Sequence, residues 1–271
     1  MIPASVAISR TGVIGDPLPK IPAFEELHSG FFKWTPRGGQ VTMVAGAPGT
    51  QKSGVAVYMA TEWARVGIPG LYMSADMDRH TAITRSAAAL SGHTIDVVTR
   101  AIESGAEDYY AEALNLPLHF SFNPSPTLGD LRLELEAWVE AWDTYPRFIV
   151  VDNLLDVIPD SGDSETTGYK AILLDLKHLA RSTGAHILVL HHMSEFFGDT
   201  TMPAPRKFVM GKVSQSPENV LSLGFDPIRL QAVLSLVKHR NGPSSAGAEI
   251  VARLDADPER NTFRQHRIGG L

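Results

Sequence analysis

The residues Gly46, Ala47, Pro48, Gly49, Thr50, Gln51, Lys52 and Ser53 carry the clearest chemistry in the chain. They follow the strand-forming run Val41 to Val44 and open a stretch of helical apolar spacing, so a strand, a loop of small residues and a helix N-terminus come in that order. The pattern G-x-x-x-x-G-K-[ST] wraps backbone N–H groups around phosphates, sends its lysine to the β and γ oxygens and gives its hydroxyl to Mg²⁺. One position departs, because Gln51 stands where the pattern has its second glycine. If Gln51 takes positive φ, its Cβ costs roughly 1 kcal/mol and its side chain must point away from the phosphate. The other reading of these residues is a glycine-rich turn with a surface lysine.

Acidic residues that end apolar strands are the next candidates. Asp152 closes the run Phe148 to Val151, at the carboxyl edge where open α/β sheets bind ligands. It is either a strand-end cap or, opposite Ser53, a holder of Mg²⁺. Asp76, in LYMSADMD, is either the N-cap of the following helix or a group that orients or deprotonates an attacking water. His191 and His192 follow ILVL; adjacent strand residues face opposite ways, so at most one reaches a nucleotide, and although a histidine pair suggests metal, adjacent strand residues rarely ligate one ion. Lys238 and Arg240, in VKHRNGP, share a strand face before a turn. They serve solubility or, in an oligomer, offer positive charge to a neighbour's γ-phosphate.

The elements that must position these groups alternate. After the loop, Ser53 to Val66 reads as a helix stopped by Gly67 and Pro69, and Gly70 to Asp76 as a buried strand. Helices are expected over Asp78 to Leu90 and Thr94 to Ser104, a strand over Pro117 to Asn123, and a helix from Thr127 through Leu128, Leu131, Leu135, Trp138 and Trp142. Arg147 to Asn153 and His186 to His192 are further apolar strands, separated by a helix bearing Tyr169, Ile172, Leu173, Leu176 and Leu179. Continuously apolar strands between helices of ten or more residues indicate a parallel sheet covered on both faces. Beyond Ser194 come a Pro- and Gly-bearing loop and strands over Val220 to Phe225, Arg229 to His239, Glu249 to Asp255 and Thr262 to Ile268, which extend the sheet in antiparallel fashion. Residues 1–20 read as an irregular arm able to pack on a neighbour, and 21–271 as a single α/β domain.

Composition sets bounds. The 271 residues are 44% apolar, enough for a sizeable core, and the formal charge of −6 excludes a protein coated in basic surface but not a confined DNA site. The absence of cysteine excludes a disulfide frame and thiolate zinc, and fits a reducing cytoplasm. No apolar run is long enough to span a membrane, and Met1 to Arg10 lacks signal-peptide character.

The order of GAPGTQKS, YMSADM, FIVVDN, LVLHHMSE and KHRNG resembles the RecA-type ATPase core of DnaB-like hexameric helicases, and LHHMS looks like their plasmid RepA-like relatives. The resemblance spans about Phe24 to Val251 and implies a RecA-like P-loop NTPase fold using ATP and Mg²⁺. By position it implies Lys52 and Ser53 on phosphate and metal, Asp76 in place of a catalytic glutamate, and Asp152 as the acidic metal holder. It further implies His192, or less directly His191, as γ-phosphate sensor, and Lys238 with Arg240 as a finger across a subunit interface. Such proteins thread single-stranded DNA through a homohexameric ring in replication, touching it with loops that map to Pro159–Gly168 and Glu195–Lys212. The second loop places Arg206, Lys207 and Lys212 among Phe196, Phe197 and Phe208, a mixture suited to phosphates and stacked bases, or else to a mobile surface loop. The basic tail from Glu259 to Leu271 offers further phosphate contacts, while the acidic loop with Asp160, Asp163 and Glu165 has no role in this scheme. With Gln51 and Asp76 departing from the family's pattern, slow turnover is the expectation. The alternatives are a metal-dependent nuclease built on Asp76, Asp152, Asp160 and the histidine pair, and a non-catalytic loader that binds nucleotide and DNA.

Overall fold

The computed structural model describes residues 15–111, 115–159, 165–194 and 198–266. Most of the N-terminal arm, Asp160, Asp163, Phe196, Phe197 and the last five residues lie outside these, as does the side chain of Glu165.

One sheet organises the chain. Its strands are β1 (Val41–Gly46), β2 (Gly70–Ser74), β3 (Leu118–Ser121), β4 (Phe148–Asp152), β5 (His186–His192), β6 (Asn219–Asp226), β7 (Gln231–His239), β8 (Ala252–Asp257) and β9 (Thr262–Gln265). They lie in the order β3-β2-β4-β5-β1-β6-β7-β8-β9. Pairings from β3 through β6 are parallel, and those from β6 through β9 are antiparallel. This is the mostly parallel α/β fold, with an antiparallel extension, that the sequence predicts. One detail differs: β6 is antiparallel only to β7 and runs parallel to β1, because the long connection after β5 returns the chain to the starting edge of the sheet.

Alternation along each strand divides the core. Val44, Tyr72, Phe148, Val150, Leu188 and Leu190 face one side, where α2 (Lys52–Arg65) packs with Val55, Met59 and Trp63. Val41, Met43, Leu71, Ile149, Val151, Ile187 and Val189 face the other, covered by α5 (Leu128–Trp142) and α6 (Glu165–Thr183). The short helix α1 (Glu25–Ser29), with α3 (Arg79–Ser91) and α4 (Ile95–Glu103), completes the helices used below. Their starts follow side-chain capping: Asp78 accepts from Thr81 N ahead of α3, Thr94 caps α4, and Thr127 with Asp130 forms a reciprocal capping box for α5. The described end of the arm packs on its own domain, with Leu18 buried and Pro19 accepting from the Trp63 indole.

Close packing between β2 and β4 has a measurable consequence. A methyl group on Gly70 would run into the Phe148 ring, which is itself fully buried against Trp63. Gly70→Ala is therefore expected to destabilise the fold by about 1–3 kcal/mol, read as a lower denaturant midpoint.

Candidate active site

Four neighbouring strand ends define a cleft. β2, β4, β5 and β1 lie side by side, and the residues at or just past their carboxyl ends are Asp76, Asp152, His192 and the loop from Gly46. A cavity of about 410 Å³ opens there, lined among others by Gly49, Lys52, Ser53, Asp76, Asp152 and His192. Sequence separation is large, yet the topology brings these groups to one place.

The loop has the backbone of an anion cradle. Gly49 and Gln51 both take left-handed φ, +78° and +64°, and Gln51 gives no side-chain cap to α2. The first-turn N–H groups of α2 are left without intrahelical acceptors, as at any helix start. Gly46 must be glycine, since a Cβ would stand 2.5 Å from Thr50 Oγ1 and 2.8 Å from the Leu223 carbonyl oxygen. Gln51 turns its side chain back over α2: its Oε1 and Asn261 Oδ1 each lie 3.0 Å from where a Gly54 Cβ would be. Its Oε1 therefore lies on the side of the β8–β9 turn, while the residue also lines the cleft. A β-branched residue fits this conformation worse, so Gln51→Val is expected to cost about 1–3 kcal/mol, while Gln51→Gly leaves the denaturant midpoint near that of the unaltered chain.

Lys52 is buried at the mouth of the loop, donating to Gly46 O at 3.0 Å and Ala47 O at 2.9 Å. Burial pushes its ammonium down to about 8, against the attraction of Asp152 and Asp76. The folded state then binds the proton less tightly than the unfolded one. The penalty for holding this charge is full below about pH 8 and relaxes as pH rises toward the ordinary lysine value. A triphosphate favours the charged form, so its affinity is expected to fall about tenfold between pH 7 and pH 9. Equilibrium binding of a fluorescent ATP analogue checks this, and in Lys52→Met the pH dependence should vanish.

Asp152 lies on the α2 side of the sheet by the same alternation that places Phe148 and Val150 there. It is 3% exposed and shares the cleft with Ser53, the hydroxyl at the start of α2. Burial raises its carboxyl, opposed by the hydroxyls of Tyr72 and Ser53. The Tyr72 hydroxyl donates to Asp152 Oδ2 at 2.7 Å, and burial holds the phenol far above its usual range, so it remains a donor. Ser53 hydroxyl and Asp152 carboxylate are hard oxygen donors facing one another, a set that fits Mg²⁺. Asp76 lies exposed on the cleft wall, and the cap of α3 is Asp78 instead.

Parity separates the histidines. His192 shares the α2 side with Leu188 and Leu190 and lines the cleft; His191 faces α6, fully buried, with Nε2 3.0 Å from the Met210 carbonyl oxygen. Burial drives the His191 ring down to about 4, so it is neutral. Among the described residues no three His, Asp or Glu side chains converge as a metal site. Of the residues named for the nuclease alternative, Asp76, Asp152 and His192 share the cleft, His191 faces α6, and Asp160 lies outside the described residues. Thr81, Arg85 and Asn153 also line the cleft and were not singled out from sequence. Thr81 and Arg85 are one helical turn apart on α3, so the spacing was visible once the helix start was fixed.

Lys238 and Arg240 sit elsewhere. β7 ends beside the beginnings of β6 and β1, so both lie at the edge of the sheet opposite the loop. Lys238 Nζ donates to Gln215 O at 2.6 Å and Pro217 O at 2.5 Å, and Arg240 lies 3.9 Å from Glu218. Of the second loop, Lys207 and Lys212 are exposed, with Lys207 over the Phe208 ring at 5.1 Å; Arg206 is half-buried, with its Nε 3.4 Å from Ser214 Oγ.

Comparison with known proteins agrees with this geometry. The AAA domain family matches residues 21–195. The Gene 65 protein of Mycobacterium phage L5 is 33% identical over 253 residues, covering 90% of this chain and 91% of its own. A DnaB-like replicative helicase, solved in a study of its interactions with primase, superposes with a TM-score of 0.78 at 15% identity. That match covers 97% of this chain and 66% of the helicase, so the chain spans about two-thirds of that protein. The RadB recombinase superposes with a TM-score of 0.56 at 15% identity, covering 90% of this chain and 97% of its own. The chain belongs to the AAA domain family, and its body is a RecA-type P-loop core of the kind found in DnaB-like helicases.

Proposed function

We propose that this protein hydrolyses ATP and uses the energy to move on or remodel single-stranded DNA as a ring or filament of identical subunits. The observation that carries the hydrolytic part is the meeting of Lys52, Ser53 and the buried Asp152 in one cleft, which joins the helix start of the loop to the acidic tip of β4. In this scheme Lys52 and the α2 N–H groups hold the phosphates, and Ser53 and Asp152 hold the metal. Mg²⁺ held by Ser53 and Asp152 would offset the negative charge that develops on the phosphates. Asp76 orients water for in-line attack, and His192 hydrogen-bonds the γ-phosphate from the β5 tip. Tyr72 fixes the Asp152 carboxylate, so Tyr72→Phe is expected to lower turnover about tenfold or more with the fold intact, checked by steady-state kinetics.

Lys238 and Arg240 are too far round the sheet to serve their own cleft, which supports a role at the γ-phosphate of an adjoining subunit. Exposed Lys207 and Lys212, with Arg206 and Phe208 beside them, support contact with a single strand. The test is phosphate release with and without single-stranded DNA, for the unaltered chain and Lys52→Ala. DNA-stimulated release that the substitution abolishes supports the proposal; release that ignores both DNA and Lys52 rejects it. One observation favours a second reading: Asp76 is a methylene shorter than the glutamate the resemblance leads one to expect. A loader that binds ATP without turning it over would follow, and the same assay would then show no release at all.

A further inference from the structure

Glu218 is a buried carboxylate that the scheme above does not use. It is 5% exposed, and its Oε2 accepts from Val41 N at 3.1 Å, at the first residue of the strand that carries the phosphate loop. Its Oε1 faces Lys177 at 3.2 Å, Arg181 at 3.7 Å and Arg240 at 3.9 Å. Its backbone is equally engaged, accepting from Arg240 N at 3.1 Å and donating to Val41 O at 3.0 Å. The carbonyls just before it complete the arrangement: Gln215 O and Pro217 O hold the Lys238 ammonium, and Ser216 O accepts from Lys177 at 2.9 Å. A segment of four residues therefore grips both members of the proposed finger and is itself fastened to β1.

This arrangement has an electrostatic reason. Lys177, Arg181, Lys238 and Arg240 crowd together, and Arg206 adds to the positive field at Lys238. Without a counter-charge, Arg240 would be repelled by its neighbours and spread over many rotamers. A guanidinium acts on a transferring phosphoryl group only when held in register, and an error of about 1 Å in a reacting constellation lowers rate on the order of 10²-fold. The contact at 3.9 Å is also loose enough for Arg240 to leave toward a stronger anion.

We infer that Glu218 is a positioning residue that holds Arg240, beside the Lys238 that the Gln215 and Pro217 carbonyls hold, in the pose from which the two reach the nucleotide of an adjoining subunit. The inference rests on the proposed finger role of those two residues. It assigns Glu218 no contact with substrate: it acts on the neighbour's site through the finger, and leaves its own subunit's phosphate loop intact.

Subunit mixing separates this from a structural role. Glu218→Gln is nearly isosteric and keeps an acceptor for Val41 N, so its own nucleotide binding is expected within about twofold of the unaltered chain, with turnover lowered about fivefold, the ceiling that a half-exposed contact sets. Lys52→Ala subunits cannot bind the phosphates but carry an intact finger. Mixing them in equal amounts with Glu218→Gln subunits is expected to give about threefold more activity than the average of the two variants apart, because roughly a quarter of head-to-tail interfaces then pair a sound site with a sound finger. Mixing Glu218→Gln with Arg240→Ala should restore nothing, because neither brings a sound finger. Unchanged turnover in Glu218→Gln, while Arg240→Ala is inactive, overturns the inference and spares the finger reading. Unchanged turnover in Arg240→Ala rejects the finger reading itself. Lost nucleotide binding in Glu218→Gln, or no rescue by Lys52→Ala, makes Glu218 a structural residue and also overturns the inference.

Discussion

Arg240→Ala is expected to lower phosphate release about 10³-fold, the scale on which a guanidinium supplied across an interface stabilises phosphoryl transfer. Its own subunit should hardly notice the change. The Arg240 side chain is about half exposed and 3.9 Å from Glu218, a pairing worth at most about 1 kcal/mol. The melting temperature and nucleotide affinity of Arg240→Ala should therefore match those of the unaltered chain while turnover collapses. A protein that loses stability in proportion to activity would instead place Arg240 in the fold. Arg240→Lys is expected to recover little, since an ammonium lacks the planar pair of donors.

Lys52→Ala is expected to lower turnover about 10²–10³-fold by removing a preorganised charge from the phosphate site. Its effect on the fold should have the opposite sign. Lys52 is buried, and desolvation pulls its ammonium down to about 8, so below that pH the folded chain pays for a charge that the unfolded chain solvates freely. Removing it is expected to stabilise the protein on the order of 1 kcal/mol at pH 7, a gain that shrinks as pH rises toward 10. Thermal melts at pH 7 and pH 10 check the sign. A protein less stable without Lys52 at pH 7 would mean that its bonds to Gly46 O and Ala47 O outweigh the desolvation.

How much of this was legible in the sequence differs from residue to residue. The unbroken apolar runs of FIVVD and ILVLHH mark the strands, and parity along β5 decides which histidine enters the cleft, because His192 falls in step with Leu188 and Leu190. The loop could be read down to the left-handed conformation of Gln51. Strand order could not be read, since it depends on contacts between residues far apart in the chain. The parallel pairing of β6 with β1 was hidden for that reason. Tyr72 looked like one more apolar strand residue, and only the fold shows its hydroxyl 2.7 Å from Asp152. Asp76 and Asp78 compete for one cap, and a shift of two residues decides which is free. Glu218 sits in a stretch without period, and its cations arrive from α6 and from the end of β7.

Whether the loop from Gly46 to Ser53 cups a triphosphate, although glutamine holds a glycine position, is decided by a crystal structure with a non-hydrolysable ATP analogue and Mg²⁺. Expected are phosphates along the loop, Lys52 Nζ released from the Gly46 and Ala47 carbonyls onto them, metal density by Ser53 and Asp152, and Gln51 still folded toward Asn261. A loop closed over by Gln51, with Lys52 unmoved and the analogue bound elsewhere or not at all, would contradict it.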